Sequence, residues 1–435
     1  MKTKIAMSVG LGLLTFNATA SNLVKAGQAK SLAMGGVGIA VTDITSAVTH
    51  NPAVLSSGKI KDGWFLSLPT ITVGASDEDD FIDALDEFQD TNSIDELELA
   101  IDSAGLPGSY SYAADVAQRL SGELAQLSDR RIEADLGALL SLAVPGQTLG
   151  FALKATVGAS LGGEIQYRDA DTINDLTSEL NAYEECYAAN ALVPGSCIPD
   201  SLTMNYVDLE TGVVNFDVDE DLKSQVLAQG VVVGEVGLAF THMHKFGETP
   251  VSFSVMPKMQ HISVFHYNDT VENADLDDAS EDEYISDDTF FNADLGLLVE
   301  VNEYVNFGVT LTNILSQEIE TVTPITEGGE VVELSPQLRA GVAFEYGWLT
   351  FAIDADLTKN KVPFSADEQI IAMGAELDAW DVAKLRVGYQ QDLESSDSDL
   401  VSAGLGLNLL GLTLDVGAAA NDHKAIASMQ LGFKW

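Results

Sequence analysis

Long apolar runs are missing from this sequence. Past the first twenty residues no stretch of eighteen or more apolar residues occurs, so the chain offers no helix able to cross a bilayer. Positive charge is scarce. Lys and Arg number 21 against 67 Asp and Glu, for a formal net charge of −46 over 435 residues. Such a surface repels nucleic acid, which excludes it as a partner, and attracts cations. Cysteine is nearly absent, with only Cys186 and Cys197. Two thiols alone fall short of tetrahedral zinc, and in a polar segment of an exported chain they read as a disulfide closing a short loop. No grouping of nucleophile and base stands out along the chain, so it does not read as an enzyme.

What the sequence has is alternation. In 399–435, Val401, Ala403, Leu405, Leu407 and Leu409 are separated by small or polar residues, and the pattern restarts at Leu412 and at Ala425. Period two gives a strand with one apolar and one polar face. Fourteen such segments run from Gly63 to Trp435: 63–75, 131–144, 148–167, 224–242, 250–268, 289–301, 305–319, 334–346, 349–358, 369–379, 383–392, 399–409, 412–420 and 425–435. Each reaches the roughly 9–11 residues that a tilted strand needs to span a bilayer.

The connections sort by parity. Odd-to-even ones are mostly long and acidic, above all 76–130, 168–223 and 269–288, while even-to-odd ones are as short as Gly347-Trp348 and Leu410-Gly411. More than half of the acidic residues lie in the three long loops. A soluble sandwich has no reason to sort its loops this way, whereas an outer-membrane barrel has short periplasmic turns and long outer loops. The expected fold is therefore all-β: a transmembrane antiparallel barrel of about fourteen strands over 62–435, in the outer membrane of a Gram-negative bacterium. Both termini would be periplasmic, and the last strand would pair with the first to leave no edge in lipid. Trp64, Trp348, Trp380 and Trp435 then all fall on the periplasmic rim, where an indole meets both hydrocarbon and water. The apolar faces would touch outer-membrane lipid, and the strand ending at Trp435 would address the barrel-assembly machinery.

Ahead of the barrel, Met1–Ala20 has Lys2 and Lys4, an apolar Val9–Phe16 and Ala18-Thr19-Ala20, which reads as a secretory signal peptide. Residues 21–61 are rich in small residues without sustained alternation, and a helical turn is expected near Ser46–His50. Gly35-Gly36-Val37-Gly38 lacks the spacing of a nucleotide loop. The first long loop shows helical stripes: Phe81, Ile82, Leu85 and Phe88, then Ile94, Leu97 and Ile101, with Tyr110–Leu127 a third candidate. His242 and His244 read as exposed turn residues. Asp90-Thr91-Asn92-Ser93 and Asp275–Asp288 lack the Gly and Glu of a calcium loop, so no cofactor is expected beyond weak divalent-cation binding by the acidic loops.

On the inward face lie Lys154, Glu235, Asp294, Glu300, Arg339, Glu345, Asp354, Asp356, Glu376, Lys384, Arg386 and Asp415. Arg339, Lys384 and Arg386 either attract an anionic head group or pair with neighbouring carboxylates across the lumen. Gly158, Gly162 and Gly163 in the third strand mark either a strand kink or a place of tight inner packing.

Ala33-Met34-Gly35-Gly36-Val37-Gly38-Ile39-Ala40, followed by Asp43, Ser46 and Asn51-Pro52-Ala53, resembles the amino terminus of FadL-type outer-membrane transport proteins. The resemblance implies that 21–61 forms a plug, with Gly35, Gly36, Gly38, Asn51, Pro52 and Ala53 as its motif, inside a fourteen-stranded barrel that passes small hydrophobic ligands. Within that group the acidic stretch Asp79–Asp90 is most similar to plasmid-transfer TraF-type barrels. The chain has no C-x-x-C and so does not resemble the thioredoxin-like protein of that name. The second reading is accordingly a conjugal-transfer or envelope-assembly protein that docks a partner through its acidic loops.

Overall fold

The computed structural model describes residues 28–435 apart from 61–62, 78–79, 129, 190–203, 272–281, 323–328, 330, 362–366 and 396–397. The expected signal peptide and Cys197 lie outside the described residues. Fourteen antiparallel strands close into one wall: β1 (Phe65–Asp77), β2 (Arg131–Val144), β3 (Gly150–Gln166), β4 (Gln225–Phe246), β5 (Thr249–Thr270), β6 (Ile285–Glu300) and β7 (Val305–Thr312), then β10 (Gln337–Tyr346), β11 (Leu349–Asp356), β12 (Ile370–Ala379), β13 (Ala383–Asp392), β14 (Leu400–Leu409), β15 (Leu412–Ala420) and β16 (Lys424–Lys434). β16 pairs with β1, and Trp435 donates its N–H to Trp64 O at 2.9 Å, closing the ring at its two ends.

Two expected strands are shorter than the alternation implies. Segment 305–319 breaks after Thr312, and 334–346 gains its wall strand only at Gln337. Between them β8 (Gln317–Glu320) and β9 (Val331–Leu334) form a separate hairpin. Asn313 takes a left-handed conformation (φ 51°), donates its N–H to Asp294 Oδ1 at 2.9 Å, and turns the chain out of the wall.

The short turns are tight for a local reason. Tyr346 pairs with Leu349 across Gly347-Trp348, and Leu409 with Leu412 across Leu410-Gly411. Both glycines have positive φ, at 57° and 88°, as two-residue hairpins of primed type require.

The wall is inside out relative to a soluble protein. Leu153, Val236, Phe240, Phe253 and Leu405 are each about half exposed on its outer face, while Lys154, Glu235, Lys258 and Arg386 are buried inside. Among the described residues no helix is long and apolar enough to cross a membrane. The strands do the crossing.

β3 pairs in unbroken register with β2 and β4 through Gly158, Gly162 and Gly163. The break instead lies in β1, which carries one extra residue between Ser67 and Thr70 against β2 and between Ser67 and Ile71 against β16. Pro69 sits at that bulge and has no N–H for the ladder. At its glycines β3 therefore shows no shift of register. Gly162 serves packing: a Cβ there would meet the Arg131 guanidinium at 2.6 Å.

Outside the wall, α3 (Phe81–Thr91), α4 (Ser93–Asp102), α5 (Ser109–Leu127) and α6 (Ala170–Ala189) form a cap. Leu97, Leu120, Leu176, Leu180, Tyr110 and Tyr183 make its core, and Phe81, Leu127 and Ile165 seat it on the wall. The first three helices lie where the sequence places them; α6 is additional. Ahead of β1 come α1 (Ala29–Ala33), α2 (Ile44–His50) and a 3-10 turn, Pro52–Ser56, all within the barrel.

Candidate functional site

The site is the lumen, and residues 28–60 pack inside it. Apolar Val37, Ile44, Val48, Val54 and Leu55 are buried against inward Ala152, Ala239, Met256, Leu298, Ala343 and Ala352. Each large side chain so buried contributes about 1.5–3 kcal/mol. Asp43 caps α2 by accepting from Thr45 N at 2.7 Å. Asn51 caps the following turn through Ala53 N at 3.2 Å, and its Nδ2 donates to Ile39 O and to wall residue Leu297 O, both at 2.9 Å. Pro52 then begins that turn where a missing N–H costs nothing.

The glycines of the segment make close approach possible. Gly35 (φ 72°) donates to Ser402 Oγ at 2.9 Å, and a Cβ on it would stand 2.7 Å from Tyr389 O. Gly38 lies under the His50 ring, which a Cβ would meet at 2.6 Å. The wall answers with glycines of its own: Gly308 and Gly341 face Ile39, Gly374 and Gly388 face Met34, and Gly404 and Gly417 face Ala33. That complement is spread over six strands and carries no local signature; glycine at inward positions of β7, β10 and β12–β15 is its only trace in the sequence.

Wall carboxylates hold the segment by its backbone. Asp354 Oδ2 accepts from Gly38 N at 2.7 Å and Ile39 N at 3.0 Å, Glu345 Oε1 accepts from Thr42 N at 2.7 Å, and Glu300 Oε1 from Gly58 N at 3.2 Å. Lys30 is buried between Asp43 (2.9 Å) and Glu376 (3.2 Å). Burial pushes the Asp43 carboxyl up, but Lys30, Lys384 and Lys434 outweigh it and hold it well below the usual carboxylate range. Burial first, then Arg339 and Lys154, drive His50 down to about 3, so its imidazole is neutral.

The inward cations are paired. Arg386 binds Glu376 and Asp415, each at 2.6 Å; Lys384 lies 3.2 Å from Asp378; Arg339 Nε binds Asp356 at 2.5 Å. Lys154, Glu235, Lys258 and Asp294 form a second chain, at 2.5, 2.8 and 2.9 Å. Arg386 and Lys384 are thereby committed to carboxylates, which fits the pairing alternative. His242 and His244 are exposed, at the end of β4.

Beyond the segment lies a cavity of about 560 Å³, bordered by Gly36, Ile39 and His50 on one side and by Leu334 and Ser335 on the other. The hairpin reaches into the lumen: Ile319, Val332 and Leu334 pack on inward Val231, Val233, Ile262, Val264 and Phe290. Gly158-Ala159-Ser160-Leu161-Gly162 spells G-x-S-x-G, yet it lies within regular β3. A nucleophile elbow needs a strand-to-helix turn.

At the end of the wall where both its termini lie, Trp64 and Trp435 stack at 6.0 Å. Trp348 and Trp380 are exposed in turns at that same end, and Tyr304 and Tyr346 stand 5.4 Å apart.

Charge inside, hydrocarbon outside, a closed ladder and an aromatic rim define a transmembrane β-barrel of the outer-membrane class. The chain belongs to the family described as "F plasmid transfer operon, TraF, protein", whose model matches residues 48–356. Among solved structures it is similar to the toluene transporter TbuX of Ralstonia pickettii (12% identity, 97% of this chain and 100% of that one, TM-score 0.49). It is also similar to the CymD monoaromatic hydrocarbon channel (12%, 97% and 99%, 0.46) and to the toluene transporter TodX of Pseudomonas putida (11%, 93% and 96%, 0.43). Comparison with curated proteins finds no match.

Proposed function

We propose that this chain is an outer-membrane passage protein for small hydrophobic molecules, with residues 28–60 as its gate. The carrying observation is a preceding segment docked through backbone N–H groups onto wall carboxylates, beneath a cavity large enough for a small molecule. The cargo class follows from the FadL-type likeness of Ala33–Ala40 and Asn51-Pro52-Ala53. The acidic loops at the open end disfavour anions, so neutral compounds fit, or anions bridged by divalent cations held weakly by those loops. The Trp-bearing end with the short turns would face the periplasm, and the strand ending at Trp435 would be read by the assembly machinery.

Deletion of residues 21–55 should raise ion conductance in planar bilayers, because the lumen loses its floor. Unchanged conductance would contradict a gate. Cells lacking the protein should also grow more slowly on hydrophobic substrates.

The family description favours a second reading, docking of a transfer partner on the cap. The packed helices α3–α6 would present it, with Cys186 and Cys197 cross-linked to brace the loop after α6. Mating efficiency of a deletion strain separates the two readings: reduced mating with intact uptake supports docking.

A further inference from the structure

Immediately above the gate, three side chains converge from different parts of the chain. Asn51 reaches β6 at Leu297, beside Gly296, and Gly296 is the register partner of Thr310. Thr310 is in turn opposite Arg339 across β7 and β10. Arg339 is the next inward residue beyond Gly341, which packs on Ile39, the neighbour of the Gly38 that carries the His50 ring. His50, Thr310 and Arg339 all border the cavity.

Each has hydrogen-bonding capacity left over. Thr310 is 2% exposed and its Oγ1 has no partner. An orphaned buried hydroxyl is costly, and an incoming hydrogen-bond partner would recover that cost. Arg339 uses Nε on Asp356, and its terminal nitrogens bond to no described residue. The His50 nitrogens likewise bond to none, and the neutral ring offers one donor and one acceptor. The charge of Arg339 is already answered by Asp356, with Asp354 one inward position along β11. A second anion would meet those carboxylates, and a cation would meet Arg339 and Lys154. Ile39, Leu32 and Ile370 supply apolar wall nearby.

We infer that His50, Thr310 and Arg339 form a subsite for the neutral oxygen head of a small apolar ligand, a hydroxyl of the phenol or alcohol class. This rests on the passage reading, since the ligand must enter the lumen, and it narrows the cargo from hydrocarbon to oxygenated hydrocarbon.

The test uses the full chain in detergent and three probes that share a tolyl body: toluene, p-cresol and p-toluate, titrated by calorimetry. p-Cresol should bind most tightly. Thr310→Val should weaken p-cresol about threefold to tenfold, the worth of one hydrogen bond, and leave toluene unchanged; Thr310→Ser should restore p-cresol. Heat-modifiable gel migration checks that each variant is folded. Toluene or p-toluate binding as tightly as p-cresol, or p-cresol binding unaffected by Thr310→Val, overturns the subsite. Proteoliposome flux separates the two levels. Toluene passing without any preference for p-cresol ends only this inference, whereas no probe binding or passing ends the passage reading with it.

Discussion

Asp354 accepts from two successive backbone N–H groups of the inner segment. Asp354→Ala would leave two buried donors unsatisfied, at about 1–3 kcal/mol each. Opening events in planar bilayers should become at least about tenfold more frequent, and Asp354→Asn, which keeps one acceptor oxygen, should do less. Acidity should act in the same direction through His50. The docked ring resists protonation down to about pH 3, whereas a released one titrates near the ordinary value of about 6.5. As pH falls below that ordinary value the released segment takes up a proton the docked one refuses, so docking weakens. Asp43 is shifted in the same direction, but in a more acidic window. Its lowered value keeps its contribution intact above the ordinary carboxylate pKa and loses it only as pH falls through the lowered one. Openings should therefore be more frequent at about pH 5 than at about pH 7.5, and His50→Gln should flatten the difference. A profile unchanged in that variant would remove His50 from the account. The inward direction of Arg339, Lys384 and Arg386 was legible from alternation alone. Their partners were not, because register across strands decides which carboxylate each one meets.

Among the elements, the β8–β9 hairpin departs most from what alternation implies. Gln317–Glu320 and Val331–Leu334 alternate well enough to extend their neighbours on paper, but Asn313 turns the chain inward first. Leu315 is then held by Asn292 through Nδ2 to Leu315 O at 2.9 Å and Leu315 N to Oδ1 at 3.1 Å. Val332→Asn would place an amide among Val231, Ile262 and Val264 and release the hairpin. Limited proteolysis between Asn313 and Pro336 should speed up severalfold while the heat-modifiable barrel persists; unchanged cleavage would mean the hairpin is not held by that face. α6 was missed although its signal is present. Ile173, Leu176, Leu180, Tyr183 and Tyr187 recur at helical spacing and all are buried in the cap. The acidic residues between them hid the stripe.

For the molecule as a whole, the proposed membrane placement sets the outward apolar face and Trp64, Trp348, Trp380 and Trp435 against lipid. Brominated lipid should quench tryptophan fluorescence of the reconstituted protein, most strongly with bromines near the head groups, since indoles favour the interface. Quenching equal to that of a soluble control would refute the placement. The sequence by itself determined the barrel, its strand number, the sorting of long and short connections and the aromatic rim. These follow from period-two alternation and from turn residues, which are local properties. Only the tertiary structure decided how residues 28–60 dock, where the wall bulges, which charges pair and that a hairpin folds into the mouth. Each of those depends on residues of different elements meeting inside a closed ring, and closure and register are properties of the assembled sheet.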